Sequence, residues 1–342
     1  MSGKRVALVL GSGGARGYAH IGAIQVLAER GYVVSAIAGT SMGAVVGGLL
    51  AADKLDEYTD WVTSLSQRDV LRLLDPALRG AGAIRAERVL ARVAEILDGA
   101  LIEDLAIPFT AVATDLGARR EVWFSSGPVE VAIRASIAIP GVITPIMVNG
   151  RLLVDGGVLN PVPVEPVIGA DADFTLAVTL GGPRDRSFAV TPTRETAAQR
   201  PPSEWLDGFL KGAAGVWEND VVAWITSRFG AKGADAEQLT APPAYEPAPP
   251  GVGVTDVAAM SLDAMASLIS RFRMAALPPD VTVTVPVDAA RMLDFHRAEE
   301  LIRLGRELTS AALDEAFAVQ TPEVVHADAP AELASTEGGG PS

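Results

Sequence analysis

The sequence of 342 residues contains no cysteine, which excludes disulfide staples, thiolate nucleophiles and cysteine-ligated metals. Histidine is nearly as scarce, so a mechanism needing an imidazole base has only His20, His296 and His326 to draw on. Positive charge is short as well: 28 lysines and arginines face 42 carboxylates, a net charge of −14. Nucleic acid and anionic headgroups are held by basic patches, so no nucleic-acid partner is expected and any membrane contact must be mainly hydrophobic. No calcium loop or other metal-ligand pattern occurs, and a reaction without metal or cofactor is expected. No secretory leader is visible, because Lys4-Arg5 runs into the short apolar stretch Val6–Leu10 and then a glycine loop, so a cytoplasmic location is expected.

Residues 31–52 carry no charge over a length that could cross a bilayer. Glycines, serine and threonine interrupt the middle of that run, where a strand-to-helix reversal would need them, and no basic flank marks an inside face. It is therefore read as strand, sharp turn and helix around Gly39-Thr40-Ser41-Met42-Gly43. In a G-x-S-x-G turn the glycines remove Cβ atoms that would clash, and the serine is left protruding on a strained bend. Ser41 is thereby a candidate nucleophile, with the amides and positive dipole end of the following helix beside it.

The first strand, Lys4 to Leu10, leads into Gly11-Ser12-Gly13-Gly14-Ala15-Arg16-Gly17 and a helix to Arg30. A dinucleotide fingerprint would want a glycine where Arg16 stands, and a P-loop would want Gly-Lys-Ser or Gly-Lys-Thr, which is absent. The remaining use is an oxyanion hole, in which the amides of Gly13, Gly14 and Ala15 would face Ser41. Both loops follow strands and would emerge at the same carboxyl edge of a parallel sheet.

Further along, helical stretches are expected after Leu50 to about Gln67 and from Arg85 to Leu97, then strands at Pro108–Leu116 and Glu121–Phe124. Asp115 ends the first of these, either as a base or, more simply, as a turn cap. A helix over Pro128–Ile139 precedes a hairpin over Pro145–Val154, turned by Asn149-Gly150, that delivers Asp155-Gly156-Gly157. A carboxylate followed by two glycines has open space in front of it. Phe174–Leu180 reads as a core strand. Composition then shifts, and an irregular, partly helical insertion is expected over about 182–255. Its Trp205–Phe229 stretch holds three of the five tryptophans and reads as packing, a lid or a lipid-facing flap. Pro242–Pro250 is a linker; Val254–Ala276, Val281–Val285 and Phe295–Phe317 read as helix, strand and helix, and 318–342 as a disordered acidic tail.

Gly13-Gly14-Ala15-Arg16-Gly17, Gly39-Thr40-Ser41-Met42-Gly43, Ala135-Ser136-Ile137-Ala138-Ile139-Pro140 and Asp155-Gly156-Gly157 occur in the order of the patatin-like phospholipases. The chain resembles the bacterial branch and is similar to the catalytic domain of neuropathy target esterase, over about residues 4–182 and 256–310. That resemblance implies an α/β domain spanning residues 1–317, a three-layer α/β/α sandwich with a mostly parallel sheet. It also implies a lipid acyl-ester hydrolase using a catalytic dyad, Ser41 as nucleophile and Asp155 as base, with no histidine. Gly13, Gly14 and Ala15 would form the oxyanion hole, supported by Arg16, Gly39, Gly43, Gly156 and Gly157. One departure is that the family's opening glycine is Ser12 here. A lipid ester is the expected substrate, with transient membrane-surface contact and a homo-oligomer as partner expectations. A Ser41, Asp155, His296 esterase, a serine peptidase on the same elbow, or a non-catalytic regulator keeping the fold are the alternatives.

Overall fold

The computed structural model describes residues 3–73, 82–84, 86–184 and 254–318. The insertion, with its tryptophan-rich stretch, and the acidic tail fall outside these residues apart from their first and last few positions.

Strand β1 (Arg5–Leu10) is followed by a tight 3-10 turn over Gly14–Tyr18 and helix α1 (Ala19–Glu29). Then come β2 (Val33–Thr40), α2 (Met42–Ala51), α3 (Leu55–Ser64), α4 (Gln67–Leu73), β3 (Gly82–Ile84) and α5 (Glu87–Leu97). The middle of the chain supplies β4 (Phe109–Asp115), β5 (Arg120–Phe124), α6 (Val129–Ser136), β6 (Gly141–Ile143), β7 (Ile146–Val148), β8 (Arg151–Asp155) and β9 (Phe174–Gly182). Helix α7 (Val254–Ala276), β10 (Val281–Pro286) and α8 (Ala298–Ala318) complete it. The expected elements form, with two refinements. The stretch after Leu50 divides into α3 and α4, and the short pair β3 and β6 had no strand pattern of its own.

The main sheet runs β10-β9-β1-β2-β4-β8-β7, with β5 also paired to β4. Its first five strands are mutually parallel, and β5, β8 and β7 add antiparallel pairs. Central β1 alternates its side chains between two cores. Val6, Leu8 and Leu10 face α1, α2 and α8, while Ala7 and Val9 meet Ala36, Ala38, Ala177 and the 162–167 segment. Both faces are buried, as a parallel sheet requires, giving three layers. Leu8 and Leu10 are fully buried, and each contributes roughly 1.5–3 kcal/mol by leaving water.

The decisive register lies on β4. Thr40, the last residue of parallel β2, pairs with Val112, and Asp155, the last residue of antiparallel β8, pairs with Ala113. Because β2 and β8 run in opposite senses along β4, their carboxyl ends meet head-on at consecutive positions. Gly156 lies in that junction, where a Cβ would come within 2.2 Å of the Val112 carbonyl oxygen and 3.0 Å of Thr40 Cγ2.

Candidate active site

Ser41 has φ 57° and ψ −122°, a conformation an L-residue adopts only when its surroundings enforce it. The enforcement is steric. A Cβ on Gly39 would lie 2.3 Å from the Gly43 carbonyl oxygen, and one on Gly43 would lie 1.9 Å from the Leu10 carbonyl oxygen. Both flanks of the elbow are also pinned by hydrogen bonds. The Ser41 amide donates to Ser136 Oγ at 2.8 Å, Ser136 donates on to the Val112 carbonyl at 2.6 Å, and Thr40 Oγ1 donates to the Asn160 carbonyl at 2.9 Å.

Asp155 is buried at 5% exposure, its amide donating to the Ala138 carbonyl at 2.9 Å. One carboxylate oxygen accepts from the Gly157 amide at 2.7 Å, and the Ser41 hydroxyl lies close enough to hydrogen-bond the same group. Burial pushes the Asp155 pKa up to about 6, opposed by the bonds from Ser41 and Gly157. The outcome is a carboxylate that is ionised at neutral pH yet far more basic than an exposed aspartate.

The glycine loop approaches from β1. Gly11 and Ser12 donate to the carbonyls of Val178 and Pro161, and Arg16 Nε reaches the Gly13 carbonyl at 3.2 Å while Nη1 reaches that of Val287 at 2.6 Å. The Gly13 carbonyl and Gly14 N–H belong to one planar trans peptide and point oppositely. Holding the first on Arg16 therefore turns the second away from Arg16, and Gly14 lines the pocket over Ser41. Burial lowers the Arg16 pKa, and the field of Asp263 opposes that. One expected donor is corrected: the Ala15 amide donates to the Met292 carbonyl at 2.9 Å and is unavailable to an oxyanion. Among the described residues, the amides of Gly13 and Gly14 have no acceptor. Ser12, the departure from the family's opening, faces Gly157, where a Cβ would come within 2.8 Å of Ser12 Oγ.

Histidine stands apart from the pair. His20 is fully buried, and its Nε2 is 2.8 Å from the Gly11 carbonyl. Burial lowers its pKa to about 4, so the ring is neutral, donates to that carbonyl and stiffens the loop. His296 sits half-buried on the 3-10 turn Phe295–Arg297, outside the pocket lining, and His326 is outside the described residues. Asp115 accepts from the Ala118 amide at 3.0 Å, which makes it the turn cap.

A pocket opens over Ser41 with walls that are almost wholly apolar, among them Val45, Trp61, Val93, Ile133 and Ile137. Met292 and Leu293, 40% and 37% exposed, also line it and reach solvent. Ser136 and Asn160, which join the elbow to its neighbours, were not singled out as site residues in the sequence. The only signal was that Ser136 lies inside a motif and Asn160 shortly after Asp155-Gly156-Gly157.

The sequence matches the family model described as patatin-like phospholipase over residues 8–168. It is 44% identical over 347 residues to an NTE family protein of Mycobacterium tuberculosis, covering 94% of each chain. Lysophospholipase nte1 of Aspergillus fumigatus is 33% identical over 195 residues, 55% of this chain and 12% of that one. Patatin-like phospholipase domain-containing protein 7 of the mouse is 31% identical over 188 residues, 53% and 14% respectively.

Proposed function

The chain belongs to the NTE family of patatin-like phospholipases, a family of lipid hydrolases, and from that premise we propose that it cleaves fatty-acyl esters of phospholipids or lysophospholipids through a Ser41–Asp155 dyad. The observation that carries this reading is the head-on meeting of β2 and β8, with the Asp155 carboxylate against the Ser41 hydroxyl and, among the described residues, no histidine at the pair.

In the proposed cycle Asp155 takes the Ser41 proton as Oγ attacks the ester carbonyl carbon. The carbonyl oxygen becomes an oxyanion facing the amides of Gly13 and Gly14. Collapse breaks the ester bond, and the leaving lysolipid or alcohol takes the proton from Asp155. Water then attacks the acyl-enzyme, giving its proton to Asp155 and releasing the fatty acid as Ser41 is reprotonated. The apolar pocket suits the acyl chain.

Access from a lipid surface fits helix α7. It carries an outward stripe of Val257, Met265, Leu268 and Phe272, all about half exposed or more. No helix among the described residues is long and apolar enough to cross a membrane. Residues 1–317 acting as one hydrolase domain, cytoplasmic and able to self-associate, complete the proposal.

The test is labelling by a fluorophosphonate serine probe alongside hydrolysis of p-nitrophenyl esters of graded length. Wild type and His296→Ala are expected to label and turn over, and Ser41→Ala to do neither. Loss of turnover in His296→Ala with the fold intact would overturn the dyad in favour of a triad.

A further inference from the structure

Asn160 is fully buried and sits at the crossing of the two chain segments that carry the reacting pair. Its amide donates to the carbonyl of Gly156, immediately after Asp155, at 2.8 Å, and its carbonyl accepts from Thr40 Oγ1, immediately before Ser41, at 2.9 Å. The backbone of one residue thus clasps the elbow to the aspartate loop. What holds Asn160 is its side chain: Nδ2 donates to Glu121 of β5 at 2.9 Å and to Glu165 at 3.0 Å. Two carboxylates converging on one amide nitrogen would repel each other. Arg273 of α7 bridges them, bonded to Glu121 and 3.2 Å from Glu165, while the Trp123 indole also donates to Glu121 at 2.9 Å. None of these side chains lines the acyl pocket.

Building on the dyad reading above, we propose that Asn160 is a positioning residue for Ser41 and Asp155, and that the Glu121–Arg273–Glu165 set fixes it, so that the seating of α7 governs the geometry of the reacting pair. Proton transfer and attack tolerate little misplacement, and a shift of about 1 Å originating outside the chemistry can cost about 100-fold in rate. Removing the arginine leaves two facing carboxylates without their counter-charge, and the softest response is for Glu165 and the Asn160 loop to move apart. Helix α7 also packs on the 3-10 turn Gly156–Val158, so its inner face braces the same loop twice.

The experiment compares full-length wild type, Asn160→Ala, Arg273→Met, and Arg273→Met combined with Glu121→Gln and Glu165→Gln. The readouts are kcat and KM on a soluble short-chain p-nitrophenyl ester, the rate of Ser41 labelling by a fluorophosphonate, and Tm. Asn160→Ala is expected to lower kcat and the labelling rate about 10- to 100-fold with KM within about twofold, and Arg273→Met about 10-fold. The combined variant, which has no charge left to neutralise, is expected to recover most of the Arg273→Met loss; a role in packing alone gives no such recovery. Wild-type kcat in Asn160→Ala, or a combined variant as slow as Arg273→Met, overturns the proposal. Should Asn160→Ala fail to fold, the arginine pair of variants decides it. An inert wild type removes the dyad reading and this inference together, whereas an active wild type indifferent to these changes removes this inference alone.

Discussion

Two aspartates end neighbouring strands of the same sheet and are buried alike, Asp115 at 4% exposure on β4 and Asp155 at 5% on β8. Asp115 meets the Ala118 amide and, at 3.9 Å, the Arg151 guanidinium, so its charge is compensated and its oxygens are in use as a turn cap. Asp155 has no cation beside it among the described residues, and instead faces a hydroxyl and the Gly157 amide. On the proposed dyad reading, burial alone does not make a base. What distinguishes Asp155 is burial without a counter-charge, beside a proton that can be moved.

The sharpest way to break this comparison is to remove each carboxylate. Asp155→Asn is expected to cut kcat by about 10⁴-fold or more, as losses at a unit of acting residues do. Asp115→Asn is expected to leave kcat within about threefold, read on the same p-nitrophenyl ester. Equal losses in the two variants would end the distinction.

A smaller effect should come from Ser136→Ala, which strips the Ser41 amide of its acceptor and the Val112 carbonyl of a donor. About 10-fold in kcat and roughly 1–3 kcal/mol of stability are expected, measured by kinetics and urea unfolding.

Asp155 also carries a pH signature. Because the folded pKa of Asp155 is raised to about 6, activity is expected to fall as pH drops through about 6 and the base is protonated. Stability runs the other way. A raised folded pKa means the protonated form is favoured on folding, so that contribution is full below about pH 4 and lost as pH rises through about 6. Asp155→Asn should accordingly gain on the order of 2–3 kcal/mol over wild type at pH 8 and little at pH 4, by chemical unfolding at both pH values. Asp115→Asn should show the smallest change, about 1 kcal/mol or less and a loss, because its partner Arg151 is half exposed.

Much of this fold was legible in the residues. Val6–Leu10 is an unbroken apolar run of strand length and Phe174–Leu180 a mostly apolar one, which read as core strands; Asn149-Gly150 marked its hairpin, and both residues do take positive φ. The elbow was legible because its glycine and serine pattern is local, although Leu10, Ser136 and Asn160 hold it in place. Other parts were not. Asp155 was set apart from Asp115 by the two glycines after it and by the family resemblance, but its contact with the Ser41 hydroxyl has no local signal, and the Ala15 amide looks as free as that of Gly14 until Met292 arrives from the far end of the chain. Glu121, Glu165 and Arg273 carry no motif, and their meeting at Asn160 depends on three separate elements coming together.

From the residues alone Ser41 stood out as the candidate nucleophile, because a Gly-x-Ser-x-Gly pattern marks a sharp turn whose glycines let the chain double back around the serine. Strand-length apolar runs alternating with amphipathic segments pointed to an α/β fold with a parallel sheet, and the family resemblance supplied its three layers. Which acid confronts Ser41 and which amides stay free were decided only in the tertiary structure. Those depend on strand register along β4 and on a carbonyl brought in from residue 292, distances that no local pattern encodes.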